Sequence, residues 1–248
     1  MVNVTSGTPR LIEGTQPTNV TGTVKTGTYS DYIPHPAFEF DGAKAGIWVG
    51  KYEPSGSTTT VTIKPNVSSL RSMTVSDMFT ASQGVKTTYG LSSDSHMMKN
   101  TEWGAVAYLT ESKYGRNGTE VGMNSSNYTT GGGDYKSNVL QSTTGNIYGI
   151  YDLNGGAWEY VAGYINNSDV SSNGNNTSML SADVKYRDVY TQGLSDTHTL
   201  NYSANKGIKG DATYETSTSY SSATSWHADS SYFPNSNYTV FERGRLLQ

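Results

Sequence analysis

A glycine turn set inside a hydrophobic stretch constrains this chain more than any other feature. Residues 147–165 read IYGIYDLNGGAWEYVAGYI. Asn154-Gly155-Gly156 is a turn signal between two short apolar runs, so the backbone must reverse there. Asp152 and Glu159 flank the turn. Carboxylates in that position commonly cap a turn or a backbone amide, and this reading is preferred to an acid/base pair.

The remaining pattern is short and interrupted. Phe38 and Phe40 alternate with Glu39, a period-two strand signal, and Asp41-Gly42 marks a turn. Ile47, Val49 and Tyr52, with Trp48 among them, make a second strand. TVTIKPN (60–66) makes a third, stopped by Pro65. TVSDMFTASQ (74–83) suits a short helix. The main helix is expected over 97–114, with Trp103, Val106 and Ala107 on one face, Tyr114 further along it, and Gly115 closing it in the left-handed conformation. Residues 116–146, centred on Gly131-Gly132-Gly133, read as a long surface loop, and 166–180 as another. Trp48, Trp103 and Trp158 lie in the three best-patterned segments. Their expected place, with Glu159 beside them, is a common structural core. Residues 1–30 read as an extended arm or linker and 31–248 as one α+β domain rich in irregular structure.

Composition excludes several functions. The chain has 248 residues and only 34% are hydrophobic, yet 19 Tyr and 4 Trp argue against general disorder. A net charge of −4 without a basic cluster argues against nucleic-acid binding. The absence of cysteine removes disulfides, thiolate metal sites and cysteine nucleophiles together. No apolar run approaches the ~20 residues that span a bilayer, so no membrane insertion is expected of this segment. No secretory-type start is present; an exported protein would have its targeting segment outside this chain. The motifs GxSxG and HExxH are absent, Gly50-Lys51 lacks the rest of a phosphate loop, and the four histidines have no ligand spacing. No catalytic residue, metal or cofactor is expected.

The segment YSSATSWHADSSYFPNSNY (220–238) differs from the rest. Tyr and Trp give contact area at low entropic cost, and Ser and Asn give adaptable hydrogen bonds, as in binding surfaces. The candidate ligand-binding residues are Tyr220, Trp226, His227, Asp229, Tyr232, Asn235 and Tyr238. For Trp226 and for Phe233 the alternative is an ordinary core place beneath a polar loop.

These residues also carry a family resemblance. GIYDLNGGAWEYVAG (149–163) resembles the G-L-Y-D-M-x-G-N-V-W-E-W-V signature of the formylglycine-generating (sulfatase-modifying factor) domain. NTEWGAVAYL (100–109) is similar to that family's T-E-A-E-W-E-Y-A-A helix. HPAF and GIWVGKYE resemble its opening strands, and FERG (241–244) the start of its R-G-G-S-W strand. The matches come in the family's order over 34–244. The resemblance implies a C-type-lectin-like fold: a small twisted antiparallel sheet, two helices and long irregular loops. It is nearest to a non-catalytic bacterial or phage subgroup of surface or pilin-like proteins, and is similar to the variable proteins of diversity-generating retroelements, whose binding surface is C-terminal. The generating enzyme works through a cysteine-bound metal, which this chain cannot supply; the sulfoxide-synthase branch needs a histidine cluster that is not present. The family pattern runs on past R-G-G, so the resemblance implies that the last strands are missing, RLLQ being what a one-base frameshift would leave. An exposed sheet edge, and an oligomer formed through it, would follow. The expected function is recognition of a host or cell-surface protein or glycan, outside the cell, on its surface or on a virion. The alternatives are a structural virion or pilus subunit and, further off, a divergent sulfatase-modifying-type enzyme.

Overall fold

A computed structural model describes residues 2–5, 8–11, 46–126, 128–167, 177–206, 213 and 232–244. The chain divides into two compact units, Met1–Trp48 and Val49–Gln248. In the first, β1 (Val2–Thr5) and β2 (Thr8–Leu11) form an antiparallel hairpin with Val2 opposite Leu11 and Thr5 opposite Thr8. The strand expected around Phe38 and Phe40 lies outside the described residues.

The second unit mixes helices with small sheets, an α+β arrangement. In chain order it contains β3 (Ser55–Gly56), β4 (Val61–Thr62), α1 (Val75–Tyr89), α2 (Asn100–Glu111), β5 (Glu159–Ile165), α3 (Thr177–Ser181), β6 (Asp188–Tyr190), α4 (His198–Asn205) and β7 (Val240–Arg243). β3 and β4 pair as a minimal hairpin, all that forms of the strand expected over 60–66. The main sheet has the order β6-β5-β7. β7 runs antiparallel to β5, but β6 runs parallel to it, so this sheet is mixed rather than antiparallel. The 22 residues between Ile165 and Asp188, with α3 among them, give the long connection a parallel pair requires.

β5 explains why 161–165 lacks a polar alternation. Val161 and Ile165 enter one cluster with Trp103, Val106 and Ala107 of α2, Tyr190 of β6, Tyr202 of α4, and Phe233 and Phe241. Ala162 and Tyr164 enter a second cluster with Val75 and Phe79 of α1, Met179 of α3 and Val240 of β7. The strand is therefore covered on both faces, and successive side chains alternate between two apolar layers.

Both long helices start on a carboxylate three residues in that accepts the N-cap amide, and in α1 the contact is reciprocal. The Thr74 hydroxyl accepts from the Asp77 amide while the Asp77 carboxylate accepts from the Thr74 amide. This cap opens a helix that runs six residues past the expected end, to a left-handed Gly90. In α2 the Lys99 amide donates to Glu102 Oε2 at 2.9 Å. That helix ends three residues earlier than expected, at an extended Ser112 whose amide bonds back to Leu109. Gly115 is not its cap, and Tyr114 falls beyond it, exposed.

Three expectations are corrected. Trp48 is fully exposed rather than in the core: burial alternates along 46–50, with Ile47 and Val49 half-buried and Trp48 between them outward. Trp158 is half-buried at the entry to β5, and Glu159 is half-buried opposite Arg243 of β7. Of the three indoles only Trp103 is a core residue, and the other rings of its cluster are Tyr190, Tyr202, Phe233 and Phe241. The segment 116–146 is no plain surface loop, since Val121, Asn124, Thr130, Gly131, Gly132, Ser142 and Thr143 are buried in it. β7 is the outermost strand of its sheet: β5 lies along one side, and on the other the Tyr232 backbone bridges Glu242 at 3.0 and 3.2 Å.

Replacing Phe241 by Ala should destabilise the second unit by about 3–5 kcal/mol, whereas Trp48→Ala should change it by less than about 0.5 kcal/mol. Urea unfolding of the two variants checks this placement of the core.

Candidate ligand-binding site

The site is built on the outer edge of β7. Strand alternation turns Phe241 and Arg243 inward and leaves Glu242 half-buried on the other side. The antiparallel bridge to Glu242 fixes residue 232, so that Tyr232 faces outward and Phe233 enters the core. The Tyr232 ring meets Trp158 at 5.2 Å between centroids and His198 at 5.7 Å, both tilted by about 60°. His198 Nδ1 contacts the Phe233 carbonyl, which anchors the imidazole beside the phenol. The result is a row of three rings contributed by the entry to β5, by α4 and by the 232–235 segment.

A tight turn follows. The Asn235 amide donates to the Tyr238 carbonyl at 2.8 Å, and Asn235 Oδ1 accepts from the amides of Asn237 and Tyr238 at 2.8 and 2.7 Å. Asn235 thus closes the turn that holds Tyr238 outward, 64% exposed. Tyr160, on β5, stands opposite Glu242 of β7. Burial, and then the neighbouring Glu242 carboxylate, push its hydroxyl well above the ordinary tyrosine value. Glu242 is raised in turn by its own burial, partly offset by the hydrogen bond with Tyr160.

Of the expected binding residues, the structure brings Tyr232, Asn235 and Tyr238 to one edge. Tyr220, Trp226, His227 and Asp229 lie outside the described residues. His198, Tyr160 and Glu242 were not anticipated. The alternation in VFER (240–243) carries a weak signal for Glu242; nothing in the sequence near His198 signals its neighbour 34 residues later.

Trp158 is held in this row from beneath. The Ala157 amide donates to Glu53 Oε1 at 2.9 Å, and the Gly156 amide to the Asn124 carbonyl at 3.0 Å. Glu53 Oε2 contacts the Ser69 hydroxyl, which also lies 3.1 Å from the Tyr128 carbonyl. Beside Glu53 is Asp152, likewise buried. Its carboxylate receives the Gly131 amide at 2.9 and 3.0 Å, Asn124 Nδ2 at 2.8 Å and the Glu53 amide at 3.2 Å. Asp152 therefore acts as an acceptor for backbone amides from two distant loops. Burial and then the nearby Asp152 charge push Glu53 up to about 7. The Ser69 hydroxyl donates to Glu53 Oε2, and this bond and the Ala157 amide partly offset that rise.

No protein-family model matches the chain, and no curated protein matches it. Among the described residues, no group of three or more His, Cys, Asp or Glu side chains could hold a metal ion, and no helix is long and apolar enough to cross a membrane. What the edge offers chemically is ring faces, phenol hydroxyls and one carboxyl, a set suited to stacking and hydrogen bonding.

The buried acid gives a pH dependence of definite sign. Below pH 4.5, the ordinary value of Glu53, folded and unfolded chains both hold its proton; between 4.5 and about 7 only the folded chain does. Glu53 should therefore contribute a fall in stability as pH rises through that window, by roughly 3 kcal/mol at most. Glu53→Gln, which can donate to Ser69 and accept from Ala157, should flatten that slope in denaturation curves taken from pH 4.5 to 8. A slope equal to that of the unmodified protein would show that another group controls it.

Proposed function

We propose that this chain is a non-catalytic recognition module of a bacterial surface, pilus or phage protein, with a C-type-lectin-like scaffold related to the sulfatase-modifying-factor domain. The observation that carries the reading is the ring row Trp158–Tyr232–His198, with Tyr238 on the adjoining turn. It stands at the C-terminal edge where the resemblance implies a binding surface. The scaffold part of the proposal draws on the motif order along 34–244 and on the use of Asp152 and Gly155-Gly156 at the signature turn. A mixed sheet and the positions of Trp48 and Trp158 are departures that this scaffold must accommodate.

The ligand class proposed is a host or cell-surface protein or a glycan, met outside the cell or on a virion. Aromatic faces stack on the apolar faces of sugars and on side chains alike, and the surrounding hydroxyls and amides supply the hydrogen bonds. Absence of cysteine removes the metal chemistry of the generating enzyme from consideration.

Retention on an array of glycans and surface proteins tests this reading. Substituting Trp226 and Tyr232 together by Ala should abolish retention while leaving the unfolding transition in place. Undiminished retention would reject this edge as the binding surface. Ordered polymers in electron microscopy, with no retained ligand, would favour a structural virion or pilus subunit instead.

A further inference from the structure

A second ring cluster lies away from that edge. Tyr52, Tyr135 and Tyr151 contact one another pairwise, with centroids 5.6, 5.6 and 5.8 Å apart. Two of the three contacts are steeply inclined, 72° and 89°, so the rings form a triangle of edge-to-face contacts rather than a stack. The Tyr151 amide donates to the Lys51 carbonyl at 2.8 Å, which sets residues 51–52 beside 151. The Tyr151 hydroxyl donates to the Tyr135 carbonyl at 2.8 Å, which fixes the third ring. Lys51 caps the triangle. Its Nζ stands 5.5, 5.0 and 5.9 Å from the three centroids and donates to the Ile147 carbonyl at 2.5 Å. No carboxylate among the described residues lies within ion-pair distance of it. The ammonium is held by three aromatic quadrupoles and one carbonyl dipole, an arrangement that selects for positive charge.

The geometry points to a cation site built from Tyr52, Tyr135 and Tyr151 that takes ammonium-type ligands and is occupied here by the chain's own Lys51. Tyr52 and Tyr151 are buried, while Tyr135 and Lys51 are half-buried, so solvent reaches the cluster at these two residues. The class of ligand it fits is a small quaternary ammonium. Such an ion is less hydrated than a primary ammonium and gives up less on entering a ring-lined site. A tethered lysine competes at an effective concentration in the millimolar range, so a free ligand enters only when Lys51 swings out. The site is separate from the Trp158–Tyr232–His198 row and does not depend on the function proposed for it.

Tetramethylammonium chloride is the direct probe, with tert-butanol as an uncharged molecule of similar shape. In Lys51→Ala the tetramethylammonium methyl resonance should move upfield and saturate, with affinity at least about tenfold above that of the unmodified protein. Adding Tyr135→Leu should remove the effect, and tert-butanol should show none. Equal binding of both probes would mean a plain apolar cavity, and binding of neither would mean no site; either result overturns the inference. One measurement needs no variant: the Lys51 ε-methylene protons of the unmodified protein should resonate upfield of an ordinary lysine, and an ordinary position would also overturn it.

Discussion

Two buried carboxylates, Glu53 and Asp152, hold the irregular half of this protein together. Between them they accept from the backbone amides of residues 53, 131 and 157 and from the side chains of Ser69 and Asn124. Loops that are far apart in sequence, and too polar to pack by apolar burial alone, are joined at one point. A buried carboxylate is unfavourable unless its oxygens are satisfied; here satisfying them imposes the loop conformation. The adjacent residues show what that organisation supplies. Tyr52 and Tyr151, next in sequence to the two acids, form the lysine-filled ring cluster, and Trp158, next to Ala157, is presented to Tyr232.

The other half obeys ordinary layer packing. β5 lies between α2 and α4 on one face and α1 and α3 on the other, and Arg243 ties β7 to α2. Its Nε and Nη2 donate to Asn100 Oδ1 at 2.9 and 2.7 Å, and its guanidinium lies 4.3 Å from the Trp103 ring centroid. This polar contact inside an apolar layer aligns the C-terminal strand with the main helix. Since Tyr232 bridges that same strand, the register of the candidate binding edge is set from the core.

Legibility from sequence followed the type of force involved. The α2 face of Trp103, Val106 and Ala107 and the reversal at 154–156 could be read directly, because apolar periodicity and left-handed glycines leave local marks. So could the capping reading of Asp152. The depth of the 116–146 segment could not, because its burial depends on Gly131 offering an amide to Asp152 and on having no side chain where the Tyr52 ring lies 3.0 Å from a would-be Cβ. Likewise α4 was hidden in a polar tail. It is fastened by Asn205, which exchanges two hydrogen bonds with the Thr191 backbone at 2.7 and 2.9 Å, and by Asn201, which reaches the Pro234 carbonyl at 3.1 Å. Side-chain amides that replace a strand partner have no periodic signature. Trp48 departs from the usual burial of a large aromatic residue because the alternation of its immediate neighbours, Ile47 and Val49, turns it outward. At the candidate site, Tyr232 and Tyr238 were legible by composition, but their partners Trp158, His198 and Glu242 are assembled by tertiary structure.

The carboxylate clamp is most directly tested by amide hydrogen exchange at Gly131 and Ala157, whose N–H groups it holds. If Asp152 and Glu53 organise the fold, these two loop amides should exchange only through global opening, as slowly as the central amides of β5. Exchange at those two positions orders of magnitude faster than in β5 would show that the loops open independently and that the clamp is incidental to the structure.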